Sequence, residues 1–462
     1  MMRLQAQAQA QALGRNSYYQ DTAHPAPAHP PLTGSVRADV CVVGAGLAGL
    51  SAALELARRG MKVVVLEAMR VGWGASGRNG GQALAGYASD MGPFEQQIGL
   101  AAARTAWDMS REAVRLMRKR IAEHAIDCGW NAGALSVAVT PKKARALRQW
   151  ADTMQERYGA NHLQWLDAGA TRAQVDSERY CAGVMDPEGG HLHPLNFTLG
   201  LARAAVDLGV VIHEDSEVRS VVSGAASGQV AGFGRGGSPA ASPPLDVRTD
   251  GGGRACVRTG RGEVRCDAVL LAGNANLGAV APQLARRIMP VGTYIMATEP
   301  LGRARADRLI PSRAAVCDTQ FVLDYYRLSG DDRLLFGGRV SYSTVSPQDL
   351  PATMRRGMLR VFPQLDDVAV THAWGGFVDI TMNRAPDFGR LAPDIYYLQG
   401  FSGHGLALTG LAGQLAAEAI AGQAERFDLF TRLHHRPFPG GDLLRTPALV
   451  LGMLWYRMRD LF

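Results

Sequence analysis

The sequence predicts an α/β protein of two interleaved domains: a mixed parallel sheet with helices, and a discontinuous α+β domain built on a mostly antiparallel sheet. Three observations carry that expectation. Between Asp39 and Ala68, an apolar run, a glycine-rich turn, a helical stretch and a second apolar run follow one another. Residues of strand type are concentrated elsewhere, between Pro290 and Trp374. The chain of 462 residues also exceeds one ordinary core, so it must divide.

Along the chain, Met1 to Leu13 is an Ala/Gln-rich leader without the apolar core of a signal peptide, and His24 to Pro31 reads as a Pro-rich extended linker. Val40 to Val43 then reads as a strand that runs into Gly44, Gly46 and Gly49. Gly44 permits a tight turn, Gly46 admits a pyrophosphate against the backbone, and Gly49 lets helix and strand pack closely. The following helix, closed by Gly60, starts through Ala45, Leu47 and Ala48, whose N–H groups and dipole end suit phosphate. A second strand, Val63 to Leu66, ends on Glu67, 23 residues past Gly44. A carboxylate there accepts from both ribose hydroxyls and repels a 2′-phosphate, with Ala68 and Arg70 beside it. A βαβ unit without ligand is the bland alternative, but strand, turn, helix, strand and acid all agree on a Rossmann-like dinucleotide site.

The next segment narrows the dinucleotide. Gly72 to Gln82 is a second glycine-rich loop, carrying Gly74, Ala75, Ser76, Arg78, Asn79, Gly80, Gly81 and Gln82. Such a permissive backbone suits a second wall against a large flat ligand. Leu100 to Ala125 and Lys142 to Tyr158 read as helices by their apolar spacing and open the second domain. Pro194 to Leu208 reads as a helix returning to the first, followed by a strand at Val210 to Glu214 and by Val218, a further cofactor candidate. Val221 to Gly262 reads as an expanded hairpin loop with strand fragments at Asp246 to Thr249 and Ala255 to Thr259. Asp267 to Leu271 is a core strand that leads Ala272, Gly273 and Asn274 toward the cofactor. Thr293 to Thr298, Phe321 to Leu328 and Arg333 to Gly337 supply the antiparallel sheet, and re-entry near Gly375 brings Gly376 to the site.

A third turn, Gly400, Phe401, Ser402, Gly403, His404, Gly405 and Leu406, follows a strand at Ile395 to Leu398 and opens a helix at Leu406 to Ile420. A helix N-terminus aimed at N1 and O2 of a reduced flavin stabilises its negative charge. One FAD thus explains three separated glycine-rich turns. The expected division is 36–95, 185–289 and 375–430 for the FAD-binding domain and 96–184 and 290–374 for the substrate domain. Residues 1–35 form a leader and linker, and 431–462 a tail with a final helix.

The strings ASGRNGGQ and GFSGHG on this fingerprint resemble the D-amino-acid oxidase / glycine oxidase superfamily of FAD amine oxidases. GGHLHPLNF (Gly189 to Phe197), VLDYYRL (Val322 to Leu328), APDFGRL (Ala385 to Leu391), AERFDLF (Ala424 to Phe430) and HRPFPGG (His435 to Gly441) resemble its γ-glutamylputrescine oxidase branch. The resemblance runs from Ser17 to the C-terminus. It implies oxidation of a primary amine, γ-glutamylputrescine or a related polyamine, by hydride transfer to flavin N5, with aldehyde, ammonia and hydrogen peroxide as products and O2 as oxidant. The alternatives are an amino-acid or N-methyl-amine dehydrogenase feeding a quinone or carrier, and a flavin-binding structural or tRNA-modifying accessory protein. Some relatives attach FAD through a histidine after the second loop or a late cysteine; Asn79-Gly80-Gly81 has no histidine and no cysteine follows Cys317, which implies non-covalent FAD. A lysine over the flavin, used by some relatives toward oxygen, has no counterpart beyond Lys143.

Four residues are catalytic candidates. His404 is the candidate for tuning flavin N1 and O2, with a satisfied structural histidine as the alternative, and it or an arginine is the candidate positive group toward oxygen. Tyr325 and Arg327 share one face of a strand and Tyr326 takes the other; one tyrosine lines the pocket and one packs in the core. Arg327 and Arg384 are candidates for holding a carboxylate bidentately. His191 and His193 look like a metal pair, but no further ligand cluster accompanies them, so a structural or pocket-lining role is expected.

Composition sets the outer limits. The net charge of +7, from 49 basic and 42 acidic residues, is spread without a run, which excludes a nucleic-acid patch. Six scattered cysteines without a CxxC pair exclude a disulfide framework and fit a cytoplasmic enzyme. No stretch reaches the roughly 18 apolar residues of a membrane span. The final helix, Pro447 to Phe462, reads as a packing or dimer helix, with peripheral membrane contact as the alternative.

Overall fold

The computed structural model describes residues 17–225, 253–320, 322–341 and 349–439. The leader, the final helix and the strand fragment Asp246 to Thr249 lie outside the described residues.

Strands Val40–Val43 and Val63–Leu66 are apolar and buried at every position, the signature of parallel strands covered on both faces. They sit inside a six-stranded sheet ordered Asp387–Ala392, Ile395–Gln399, Ala268–Leu271, Val40–Val43, Val63–Leu66 and Val211–His213. All neighbours run parallel except the edge pair Asp387–Ala392 and Ile395–Gln399. The helix Leu47–Arg58 starts on Gly46. A Cβ on Gly49 would stand 2.0 Å from the Gly44 carbonyl oxygen, so only glycine lets helix and turn meet. Gly44 itself has φ +108°, with the Ala272 carbonyl 2.9 Å from where its Cβ would be.

The helix Leu408–Ile420 packs on Leu47–Arg58 at similarly short range. A Cβ on Gly413 would fall 2.5 Å from the Ala48 carbonyl oxygen. Below that contact, Arg120 of the helix Leu100–Glu123 is 1 % exposed; it donates to Glu55 at 3.0 Å and to the Gly410 carbonyl at 3.2 Å. One buried guanidinium therefore ties three helices, with Glu55 answering its charge.

A four-stranded sheet, ordered Gly34–Arg37, Gly262–Cys266, Ala255–Arg258 and Ser220–Val222, lies under the first sheet and shares an apolar cluster with it. The expected hairpin is its second half; the pairing of Gly34–Arg37 was not anticipated.

The nine-stranded sheet runs Val370–Thr381, Ile288–Thr298, Leu334–Ser341, Tyr325–Leu328, Ala315–Asp318, Asn131–Ala138, Ala182–His191 and Gln82–Ala83, with Gln164–Leu166 paired to Ala182–His191. It is antiparallel apart from the Ala315–Asp318 and Asn131–Ala138 pair. Its membership shifts three expected domain boundaries. Val370–Thr381 pairs with Ile288–Thr298 along its length, Gly375 opposite Tyr294 and Gly376 opposite Thr293, so the first domain resumes at Asp387. The two glycines are strand residues. Ala182–His191 and Gln82–Ala83 likewise belong to this sheet, moving the boundaries placed at 185 and 95.

The N-terminal segment is part of the fold. Tyr18–Asp21 forms a single helical turn that buries Tyr18 and Tyr19 against Trp374 and His193. The Pro-rich stretch is extended as expected, and pinned: His24 N–H donates to Asn196, His29 N–H to Glu214 and Leu32 N–H to Ser216. All six cysteines are free. Among the described residues, no helix is long and apolar enough to cross a membrane and no cluster of three or more His, Cys, Asp or Glu could hold a metal.

Gly413→Ala should destabilise the fold by about 1–3 kcal/mol, because the new methyl meets backbone on a helix that cannot yield locally. The urea midpoint, followed by far-UV circular dichroism, measures it.

Candidate active site

The parallel strands of the six-stranded sheet all end on one side, and the segments leaving them carry the three glycine-rich turns. Gly44 follows Val40–Val43, Glu67 follows Val63–Leu66, Ala272 follows Ala268–Leu271, and Gly400 follows Ile395–Gln399. Open α/β sheets bind ligands outside those strand ends. Residues more than 350 positions apart thus share one rim, with Gly44 N–H bonded to the Leu66 carbonyl and Ala272 N–H to that of Val43.

At the rim's start, the Glu67 carboxylate accepts from Ala45 N–H at 2.8 Å and Met69 N–H at 3.0 Å. Burial raises its pKa, against those donors, which lower it. Leu47 N–H is held by the Ser76 hydroxyl at 2.9 Å, so the second loop closes over the start of the helix. Arg70 pairs at 2.8 Å with Glu214 and leans outward, more than half exposed. Glu214 was not singled out from sequence. It also accepts from Val71 N–H, and its position at the end of a parallel strand, like that of Glu67, was the available signal. Val218 is buried in the cluster between the two stacked sheets.

The second loop is fixed both from within and from outside. Asn79 donates to the Ala75 and Ser76 carbonyls at 3.0 Å and accepts from Gly81 N–H at 2.8 Å, so its side chain holds the loop's own shape. Arg78 is buried with its guanidinium over Trp73 at 4.4 Å, and burial lowers its pKa to about 10. Trp374 Nε1–H donates to the Arg78 carbonyl at 3.0 Å, and the Gly376 position opens toward the Arg78 side chain, 3.6 Å from where a Cβ would be. Gln82 donates to the Val316 carbonyl at 3.2 Å and accepts from the Cys317 thiol at 2.8 Å. Gly74 faces Asn276 across 3.8 Å.

Tyr325 and Arg327 lie on this loop from one face of their strand. The Tyr325 ring fills the space a Cβ on Gly80 would need, at 2.7 Å, and burial pushes its hydroxyl pKa up. Tyr326, on the opposite face, is core: it stacks on Phe336 and reaches the Tyr180 hydroxyl at 3.1 Å. Tyr325 is therefore the tyrosine that packs on the second loop. Arg327, expected to hold a substrate carboxylate, is otherwise engaged. Its Nε donates to the Gly80 carbonyl at 2.7 Å, Nη2 to the Tyr19 hydroxyl at 3.0 Å and Nη1 to the Leu328 carbonyl at 3.3 Å. With 4 % exposure it is a clamp on the loop. Tyr19 was missed because its partner lies 308 residues away.

The third turn is organised by Asp379, also missed from sequence. Its Oδ2 accepts from Gly400 N–H and from Phe401 N–H at 3.2 Å, and its carbonyl accepts from Ser402 N–H at 2.9 Å. Burial raises its pKa to about 6, against the Asn274 side chain and the turn's N–H groups, which lower it. Ser402 has φ +54° and Gly403 φ +87°, and open space faces the Gly403 position. His404 Nε2–H donates to the Ala85 carbonyl at 3.1 Å, linking this turn to the segment that follows Gln82–Ala83. Burial lowers its pKa, against its backbone hydrogen bonds, which raise it. The His404 N–H is taken by the Phe401 carbonyl at 2.9 Å, and Gly405 and Leu406 lead into the helix Leu408–Ile420.

Arg384 stands on the tight turn after Val370–Thr381, with φ +57° and its N–H on the Thr381 carbonyl. His191 Nε2–H donates to the Arg313 carbonyl at 2.7 Å, while His193 caps the helix Pro194–Asp207 through Asn196 N–H at 3.1 Å. Burial, then the charge of Arg327, lowers both to about 3. They are structural imidazoles.

These residues fit FAD. The glycine cradle at Gly44, Gly46 and Gly49 excludes any Cβ, and Asn274 Oδ1, beside Gly273, is a buried acceptor that finds no partner among the described residues. Glu67→Ala should purify with about a tenth or less of the wild-type flavin, read as the ratio of absorbance at roughly 450 and 280 nm, because ribose and backbone acceptors are lost together. Arg327→Met should weaken FAD affinity roughly tenfold and slow amines with and without a carboxylate equally. A KM effect confined to carboxylate-bearing amines would return Arg327 to substrate binding.

Known proteins agree with this geometry. The family described as FAD dependent oxidoreductase matches residues 39–419. The gamma-glutamylputrescine oxidoreductase of Escherichia coli (strain K12) is 42 % identical over 446 residues, 96 % of this chain and 98 % of that one. A probable oxidoreductase, OrdL, of Haemophilus influenzae is 40 % identical over 448 residues, 96 % of this chain and 97 % of that one. Among solved structures, glycine oxidase from Bacillus cereus ATCC 14579 superimposes with a TM-score of 0.66 at 20 % identity, covering 86 % of this chain and 99 % of that chain, which shows a common fold. A match over most of the chain, on a rim shaped for a dinucleotide, places this protein in the D-amino-acid oxidase (DAO) family of FAD-dependent oxidoreductases.

Proposed function

We propose that the enzyme oxidises a primary amine, γ-glutamylputrescine or a related γ-glutamyl polyamine, with non-covalent FAD and O2, in the cytoplasm. The balance is amine plus O2 plus water giving aldehyde, ammonia and hydrogen peroxide. The observation that carries the reading is the 42 % identity, over 96 % of the chain, to a relative named for that amine.

The electrostatics of the site support it. Burial lowers the pKa of Arg78 and His404 and raises that of Tyr325, so each of these groups is pushed toward its neutral form. An ammonium entering the same surroundings is pushed the same way and sheds its proton. That matters because a protonated amine has no lone pair to assist loss of hydride from the adjacent carbon. Bound FAD supplies the two-electron acceptor. Arg384, half-buried one turn from the Ser402 loop, is the candidate for the γ-glutamyl carboxylate.

Two features support dissociable FAD. Asn79-Gly80-Gly81 offers no nucleophilic side chain, and the Cys317 thiol, held by Gln82, is pushed up to about 12 by burial. Six free cysteines suit a reducing compartment. The lack of any lysine beyond Lys143 favours a second reading, a dehydrogenase that passes electrons to a quinone or carrier.

Anaerobic mixing with a panel of polyamines, their γ-glutamyl derivatives, glycine and sarcosine should bleach the flavin fastest with a γ-glutamyl amine. Air should then restore the colour with stoichiometric peroxide, and acid should release the flavin into the supernatant. Bleaching without reoxidation by air would favour the dehydrogenase.

A further inference from the structure

Asp379 belongs to one sheet and acts on the other. Its strand, Val370–Thr381, is an edge of the nine-stranded sheet, where Asp379 pairs with Pro290. Its carboxylate, 2 % exposed, reaches two segments that leave the six-stranded sheet: Gly400 and Phe401 after Ile395–Gln399, and Asn274 after Ala268–Leu271. Two further bonds close the same junction, Ser402 N–H to the Asp379 carbonyl at 2.9 Å and Thr381 N–H to the Ser402 hydroxyl at 3.2 Å.

This arrangement does more than join domains. Ser402 and Asn274 both hold left-handed backbone, at φ +54° and +52°, a conformation that costs a non-glycine residue about 1–2 kcal/mol and persists only where neighbours impose it. The Asp379 carboxylate is the group that touches both segments. By holding the N–H groups of Gly400, Phe401 and Ser402, Asp379 anchors the start of the turn from which Gly403 and Gly405 leave. Asn274, its amide turned toward Asp379, keeps Oδ1 as a buried acceptor with no partner among the described residues, which points to a donor on a bound ligand.

We propose that Asp379 is a positioning residue that sets the reduction potential of the flavin. It does so in two ways: it aims the N–H groups of Gly403 and Gly405 at the cofactor, the His404 N–H being held by the Phe401 carbonyl at 2.9 Å, and it places one fixed negative charge behind that turn. The inference rests on the FAD assignment and is independent of which amine is oxidised.

The test uses the full-length FAD-loaded enzyme, titrated against redox dyes at about pH 8, where the carboxylate is ionised, so no amine enters. Asp379→Asn removes the charge and keeps the shape; the midpoint potential should become more positive, and the FAD dissociation constant should rise roughly tenfold. Asn274→Ala keeps the charge and removes one donor that offsets it; the potential should move the opposite way. Opposite signs are the diagnostic, because a mere loss of packing would not produce them. Potentials that stay at the wild-type value, or move together, overturn the proposal even if the variants lose stability. Should Asp379→Asn fail to fold, the Asn274→Ala shift decides alone: a more negative potential supports the proposal, and none overturns it. A wild-type enzyme that ignores γ-glutamyl amines yet shows these opposed shifts would sink the substrate reading and leave this one standing.

Discussion

The site depends on a contact between two stretches of main chain. The helix Leu47–Arg58 can rest on the turn after Val40–Val43 only because Gly49 carries no side chain, since any Cβ would lie 2.0 Å from the Gly44 carbonyl. That contact aims the helix N-terminus at the rim. The same economy of atoms recurs at Gly44 against Ala272 and at Gly413 against Ala48. Removing side chains brings backbone dipoles close to one another and to a charged ligand, which is how a surface without lysine can still receive a pyrophosphate.

Glycine-rich turns carry a complementary problem: their freedom must be taken away by something else. In this protein the antiparallel sheet does so. Arg327 holds the Gly80 carbonyl, Trp374 holds that of Arg78, and Asp379 holds the N–H groups of Gly400 and Phe401. Each tether comes from a regular strand, whose backbone is already fixed by ladder bonds. The sheet that would cover the substrate is thus also the frame that stiffens the cofactor rim, and rigidity of one implies rigidity of the other.

What could be read in advance was local. Val40 to Glu67 declares its strand, turn, helix and strand within one short window, and the helix Pro141–Tyr158 lies within a residue of its expected start. Alternation along Tyr325, Tyr326 and Arg327 gave the two faces correctly but not which face meets the loop, because that depends on Gly80, far away in sequence. Asp379 looked like one acid among many, since its partners, Asn274, Gly400 and Phe401, lie on other elements. Re-entry into the first domain was placed near Gly375, yet Gly375 and Gly376 continue a strand, because a glycine's freedom permits extended backbone as readily as a turn. Arginine chemistry was right in kind, and the oxygen atoms that Arg327 grips in the structure are those of the protein itself.

The burial of Tyr19 has a consequence for how the molecule is made. Its hydroxyl waits for Arg327, 308 residues downstream. At about 5–20 residues per second, a ribosome needs roughly 15–60 seconds to supply that guanidinium, and longer for Trp374. During that interval the newborn aromatic pair Tyr18 and Tyr19 has no permanent seat. Tyr18 and Tyr19, made early, are therefore among the last residues to be locked, and assembly closes in an order unlike the order of synthesis.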